Sequence, residues 1–199
     1  MAFFDSIPPP EPPPPAPRQP EWIEPDAAEM PASLGIDITL AVSEKAAVYL
    51  SRPVAYRNGL KFDLVMVHRD GELTDPRALQ RFGFHGGLRP HGPDIPADYL
   101  RFGVELDGGV RLTNLGSLPL RDPGPGGQPV AVLLPRGGGG HDGCYRQEWW
   151  LWPLPRSGDV ALVCQWPAFD IAESRATLSG DAIREAATRA RALWPTSPQ

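Results

Sequence analysis

Glu148-Trp149-Trp150-Leu151-Trp152 and Val160-Ala161-Leu162-Val163-Cys164 are two apolar runs on either side of Pro153-Leu154-Pro155-Arg156-Ser157-Gly158. Apolar side chains fall at odd and even positions alike, so both faces of each run are expected to be buried. Two-sided burial marks central strands of a layered β protein. Alternation sets Trp149 on one face and Trp150 and Trp152 on the other. One face is therefore expected to fill the core and the other to lie beneath a helix.

Outward from these runs, Ile36-Asp37-Ile38-Thr39-Leu40-Ala41-Val42 alternates with period two, which predicts a half-buried strand with Ile36, Ile38, Leu40 and Val42 inward. Residues 46–69 contain Asn58-Gly59 and read as a hairpin. A loop of Arg57, Asn58 and Gly59 pairs Tyr56 with Leu60, Val54 with Phe62 and Leu50 with Met66, and places Gly59 at a left-handed bulge position. The same parity around Asp107-Gly108-Gly109 pairs Leu106 with Val110 and Val104 with Leu112. Further strands are expected at 130–134, 145–152, 160–166 and 169–178. Gly137–Gly140 is expected to be a hairpin loop.

From Asp181 to Trp194, Ile183, Ala186, Ala187, Ala190, Leu193 and Trp194 recur at helical spacing, with Ser179 or Gly180 as the cap. Short strands with turns between them and one late helix predict a mainly β fold, an antiparallel β-sandwich or open barrel with one C-terminal α-helix.

The head of the chain differs. Eleven prolines fall in the first 31 residues, among them Pro8-Pro9-Pro10 and Pro12-Pro13-Pro14-Pro15. Such runs lack amide donors and stay extended. Asp5, Glu11, Glu21, Glu24, Asp26 and Glu29 oppose only Arg18, so the head carries −5, the formal charge of the whole chain. Residues 1–32 therefore read as a disordered, proline-rich, acidic tail, and residues 33–199 as the sandwich domain. Trp22 is out of character with a tail and is expected to dock on the body.

The acidic balance argues against a DNA binder. No apolar run is long enough to cross a bilayer, and the N-terminus lacks the basic and apolar regions of a secretory signal, so no membrane partner and a cytoplasmic location are expected. Cys144 and Cys164 are too few for a disulfide framework, have no zinc spacing, and read as two buried thiols.

Catalytic patterns are thin. The glycine run lacks the lysine and following helix of a phosphate loop. His141-Asp142 beside Cys144 suggests a thiol nucleophile, but its base would sit on a glycine-flanked loop. His85, His91 and Asp94 match no metal-ligand spacing. Neither a metal nor a cofactor is expected. The tryptophans suggest an aromatic sugar platform, with core filling as the competing reading.

Residues 71–97 form a long stretch without period, and such loops are often functional. Arg77, Arg81, Phe82, His85 and Arg89 lie there with no acid between Asp75 and Asp94. Basic groups interleaved with aromatics suit an acidic partner. The expected function is accordingly a non-catalytic binding or adaptor module for an unknown protein or acidic partner. A carbohydrate-binding sandwich domain is the alternative, and a hydrolase or metal enzyme the third reading.

Glu148-Trp149-Trp150-Leu151-Trp152-Pro153-Leu154-Pro155 and Gln165-Trp166-Pro167-Ala168-Phe169, with the Ala55–Phe62 hairpin and Arg101-Phe102-Gly103-Val104, resemble uncharacterised proteins of high-GC bacteria. The resemblance spans nearly the whole chain and implies no activity, since its motifs are packing and turn residues.

Overall fold

The computed structural model describes residues 20–69, 99–115 and 129–194. In chain order the strands are β1 (Glu29–Met30), β2 (Ala32–Ser33), β3 (Ile38–Val42), β4 (Ala46–Ala55), β5 (Leu60–His68), β6 (Arg101–Leu106), β7 (Val110–Thr113), β8 (Val132–His141), β9 (Cys144–Trp152), β10 (Val160–Trp166), β11 (Ile171–Leu178) and β12 (Arg191–Ala192). Helix α1 (Gly180–Arg189) falls between β11 and β12. All pairings are antiparallel. The larger sheet has the order β2-β4-β5-β9-β8, with β3 also paired to β4; the smaller is β11-β10-β6-β7; β1 and β12 form a ribbon. The fold is thus mainly β, a sandwich with one C-terminal helix and no closed barrel among the described residues.

The two apolar runs that decide the fold, in β9 and β10, are not neighbours. Each is an inner strand of its own sheet, and residues 153–158 carry the chain between the layers. Between the sheets lie Phe62, Leu64, Phe102, Val104, Trp149, Leu162 and Trp166, all buried. Phe102 meets Phe62 at 6.1 Å and Trp149 at 5.6 Å between ring centroids, so aromatic contacts join the layers. Burying a side chain of this size stabilises by roughly 1.5–3 kcal/mol, which makes the interlayer space the main source of stability.

A second cluster lies on the outer face of the larger sheet, where Trp22 covers Trp150, Tyr56, Val132 and Leu134. The outer tryptophan face is therefore covered by the N-terminal segment, not by the helix. Trp22 docks as expected, at 7% exposure. Pro20 to Ala32, read from sequence as the end of the tail, lies on the body instead. Glu29 and Met30 pair with Ala192 and Arg191, and Ala32 with Ala55. The earlier part of the expected tail, residues 1–19, lies outside the described residues.

The β6–β7 hairpin has the expected register, Leu106 with Val110 and Val104 with Leu112, and Gly109 sits at φ 77°. The β4–β5 hairpin does not. Ala55 pairs with Leu60, Val54 with Lys61, Leu50 with Leu64 and Val48 with Met66, and the Tyr56 N–H donates to the Gly59 carbonyl at 2.8 Å. The ladder shifts between Ser51 and Val54, so the bulge falls at Arg52-Pro53, where Arg52 takes φ 51°. One extra residue reverses the facing of β4, which lets Val48 and Leu50 on one side of the bulge and Ala55 on the other all face the core. A similar shift between Thr39 and Ala41 turns Val42 outward, to 67% exposure.

Two more expectations change. Gly138, Gly139 and Gly140 are not loop residues: they pair with Gln147, Arg146 and Tyr145 inside β8, and the turn is Asp142-Gly143. Helix α1 starts as expected, with the Ser179 hydroxyl accepting the Ala182 N–H, but stops at Arg189. Ala190 is extended, and the chain enters β12 against β1. Leu193 and Trp194, expected on the buried stripe, are 47% and 67% exposed.

Candidate functional site

On the outer face of the larger sheet, β5 carries one carboxylate amid apolar neighbours. Asp63 faces outward between Ser51 on β4 and Glu148 on β9, yet is only 3% exposed. A buried carboxylate is tolerated when it is paired and hydrogen-bonded. Here the Arg52 Nε donates to Asp63 Oδ2 at 2.7 Å, its Nη2 bonds the same oxygen, and the Arg146 Nε lies 3.6 Å away.

The β4 bulge creates this arrangement. A regular strand would send Arg52 to the opposite face from Ser51; the bulge and the left-handed backbone aim it over Asp63. A non-glycine residue with positive φ is uncommon, and such strain persists only where its surroundings hold it. Part of that hold is the Arg52 N–H, which donates to Asp37 Oδ1 at 3.2 Å. Beside it, Lys61 Nζ lies 3.2 Å from Glu148 Oε2. A shallow groove of about 260 Å³ runs past Pro31, Val54, Lys61, Phe62 and Glu148 to the Arg52–Asp63 pair.

Three cations, Arg52, Lys61 and Arg146, stand beside three carboxylates, Asp63, Glu148 and, at the Arg52 backbone, Asp37, so the charges of the cluster balance. The side chains of Arg52 and Arg146 are 62% and 44% exposed, so both guanidinium groups keep donors toward solvent. Guanidinium forks suit carboxylate or phosphate oxygens. Sequence reasoning missed these residues, although two signals existed. A proline within a strand marks a bulge or an edge, and Asp63 is an acid inside the apolar run Leu60–Val67.

The expected partner-binding residues Arg77, Arg81, Phe82, His85 and Arg89 lie outside the described residues, as do His91 and Asp94. His141 and Asp142 sit at the tip of the β8–β9 hairpin, 3.5 Å apart, with side chains 87% and 95% exposed. That tip offers no enclosed geometry for nucleophilic chemistry. Cys144 is only half-buried. Cys164 is in the core, and burial pushes its thiol up to about 12, so it stays protonated and inert at neutral pH. Of the four tryptophans read as a possible sugar platform, Trp149, Trp150 and Trp166 are buried and Trp152 is partly buried against the outer cluster, so they form no exposed aromatic face.

A second groove, about 610 Å³, lies along the N-terminal segment, bordered by Glu21, Glu24, Asp26, Glu29, Arg57 and Asn58. Glu24 pairs with Arg136 at 2.6 Å, and Glu29 accepts the Arg57 N–H at 2.8 Å, so half of its carboxylates fasten the segment to the body. On the smaller sheet Glu105 lies 3.2 Å from Arg175 and 3.3 Å from Arg111. The Arg175 hydrogen bond, with Arg111 beside it, holds the Glu105 carboxyl below its usual range.

Among the described residues no cluster of three histidine, cysteine, aspartate or glutamate side chains is placed to hold a metal ion. Nor is any helix among them long and apolar enough to cross a membrane. Comparison with protein-family models, curated proteins and solved structures finds no match.

Proposed function

We propose that the chain is a non-catalytic binding or adaptor module that holds an acidic partner on the outer face of its larger sheet. One observation carries the reading: Arg52 and Arg146, from different strands, are drawn together over one buried carboxylate and still face solvent. Asp63 orders them before a partner arrives, so less side-chain entropy is lost on binding than for free arginines. The partner supplies carboxylate or phosphate oxygens to the remaining guanidinium donors. Arg77, Arg81 and Arg89 belong to the same proposal as a second basic element.

The test is a titration of the full chain with an oligo-glutamate peptide, followed by backbone NMR. Arg146→Gln is the variant of choice, because it leaves the Arg52–Asp63 pair intact. The expected result is shifts at Arg52, Asp63 and Arg146 that fade with salt, and roughly threefold or greater weakening in Arg146→Gln, about the size of one exposed ionic contact. Reversal of Arg77, Arg81 and Arg89 to glutamate is expected to weaken binding further. Binding that ignores both sets of changes, or no binding at low salt, overturns the proposal.

A further inference from the structure

We propose that Asn58 is a self-modifying site. The backbone nitrogen of Gly59 converts its side-chain amide to a carboxylate, and the new charge loosens the N-terminal segment from the body. The inference is independent of the arginine pair.

The chain has two asparagines, and they stand in opposite environments. Asn114 is 7% exposed and bound at both ends of its amide. Its Oδ1 accepts the Phe102 N–H at 2.8 Å, and its Nδ2 donates to the Leu100 carbonyl at 2.7 Å. Leu115 follows it. Asn58 lies in the turn between β4 and β5, partly buried, with its Oδ1 enclosed and without a hydrogen-bond partner among the described residues. Asparagine usually enters a turn for a left-handed backbone or for a bond from its side chain to the main chain. Asn58 has no positive φ, and its side-chain oxygen bonds to nothing. Its amide is therefore left free beside Gly59.

Residue 59 supplies the chemistry. Glycine puts no side chain in the way of attack on the neighbouring amide. Glycine is also compulsory there, since a Cβ would strike the Trp150 ring. The Gly59 nitrogen gives its proton to water and attacks Asn58 Cγ. The Cγ–Nδ2 bond breaks, ammonia leaves with a proton, and a cyclic imide remains. Water then opens the ring at either carbonyl. One opening gives aspartate; the other gives isoaspartate, in which the main chain runs through the former side chain. One water is consumed for each ammonia released, and nothing is oxidised or reduced. Both reacting groups belong to adjacent residues, so no second reactant has to be brought to the site.

The product falls where the N-terminal segment is fastened. Asn58 lines the groove of about 610 Å³ together with Glu21, Glu24, Asp26 and Glu29. Arg57, next to it, holds both sides of the β1–β12 ribbon. Its N–H donates to Glu29 Oε1 at 2.8 Å, and its Nη2 donates to the Ala190 carbonyl at 3.5 Å. A carboxylate at position 58 adds like charge to the acidic side of this groove and competes for the Arg57 guanidinium. It cannot stay where Oδ1 now lies, because a buried charge without a partner is costlier than a buried amide. Isoaspartate also adds an atom to the main chain of a closed turn. The Tyr56 N–H donates to the Gly59 carbonyl across that turn at 2.8 Å, and the Leu154 N–H donates to the Asn58 carbonyl at 3.0 Å. Either product weakens the hold on Glu29, and with it the segment that carries Trp22.

The test ages the full chain in neutral buffer at physiological temperature and reads residues 58 and 114 by peptide mass spectrometry. A capped peptide of residues 55–62 is aged beside it as the unfolded reference. Conversion at Asn58 is expected to be at least roughly tenfold faster than at Asn114, and within about tenfold of the free peptide. The converted chain is then separated by ion exchange. Its amide exchange is expected to quicken by roughly tenfold or more, the mark of local opening, at Arg57 and at Leu193, whose N–H donates to the Ala28 carbonyl. Asn58→Asp reproduces one product and is expected to show the same opening without ageing. Asn58→Gln, whose longer side chain closes such a ring far less readily, is expected to stay unmodified with the segment held. The proposal is overturned if Asn58 stays intact in the folded chain while the peptide converts, if both asparagines convert at one rate, or if the converted chain and Asn58→Asp hold the segment as tightly as before.

Discussion

Gly59 and Gly109 occupy similar places, each at the end of a hairpin turn, yet they are glycine for different reasons. Gly109 has φ 77° and empty space around its Cα, so its constraint is backbone conformation alone. Gly59 lacks a positive φ; a Cβ there would strike the Trp150 ring and come within 2.8 Å of the Leu151 carbonyl. Side-chain series separate the two. Gly109→Ala should cost about 1–2 kcal/mol, and Gly109→Asn less, because asparagine enters the left-handed region more easily. Gly59→Ala should cost about 1–3 kcal/mol from overpacking, and Gly59→Asn more. Urea denaturation of the four variants checks this, and the same ranking at both positions would refute it. Turn chemistry in the sequence located both hairpins but only one register. Counting parity assumes an unbroken ladder, and the extra residue at Arg52-Pro53 breaks it before the turn is reached. The bulge also aims Arg52 at Asp63, so the missed register and the missed candidate site have one cause.

At the scale of elements, period-two and 3.6-residue patterns located most strands and the helix, because those patterns record which face meets a core. They do not record what supplies the core. Trp150 is legible as buried, but its cover comes from Trp22, about 130 residues earlier in the chain. The end of α1 was missed for a related reason. Leu193 and Trp194 extend the helical spacing, but pairing of β12 with β1 takes the chain into a ribbon at Arg191, three residues before Trp194 could complete the stripe. The Gly137–Gly140 strand carries no side-chain pattern at all, so its pairing was invisible to periodicity. The Trp22 lid gives a prediction. Trp22→Ala should destabilise by about 3 kcal/mol, the range for removing a large buried aromatic. It should also red-shift the tryptophan emission, as Trp150 and Tyr56 become wet. Loss of stability without a spectral change would mean that the lid does not cover Trp150.

Across the whole molecule, the charge of the head is distributed differently from a free acidic tail. Asp5, Glu11 and Arg18 give residues 1–19 a net −1, whereas Glu21, Glu24, Asp26 and Glu29 place −4 on the segment that lies against the body. The chain thus spends these carboxylates partly on fastening, through Arg136 and Arg57. Other exposed charges tie elements together in the same way, and their titration gives opposite signs on the two sides of neutrality. Asp107, in the β6–β7 turn, accepts the Ser157 hydroxyl at 2.5 Å and the Gly108 N–H at 2.9 Å, so the turn is pinned to the link between the two sheets. The Ser157 hydrogen bond, followed by that of Gly108, holds the Asp107 carboxyl below its usual range, as Arg175 does for Glu105.

A carboxyl group depressed by folding stabilises the native state fully above its unfolded value, and the contribution disappears as pH falls through the folded value. Lys45 behaves in reverse. Its hydrogen bond and ion pair with Asp170, at 2.6 Å, raise its pKa, so its contribution is complete below the ordinary lysine range and is lost as pH rises through the folded value. The melting temperature should accordingly fall at both ends of the pH range, and the two limbs should respond to different residues. Asp107→Asn combined with Glu105→Gln should flatten the acid limb and leave the alkaline limb as it is; Lys45→Met should do the opposite. Lys45 and Asp107 are solvent-exposed and Glu105 is only partly buried, so each effect should be small and should shrink in high salt. Calorimetric scans of wild type and variants across the acid and alkaline limbs check the assignment. An acid limb of unchanged slope in the double variant would show that other carboxylates control it, and that the Asp107–Ser157 contact adds nothing measurable to stability.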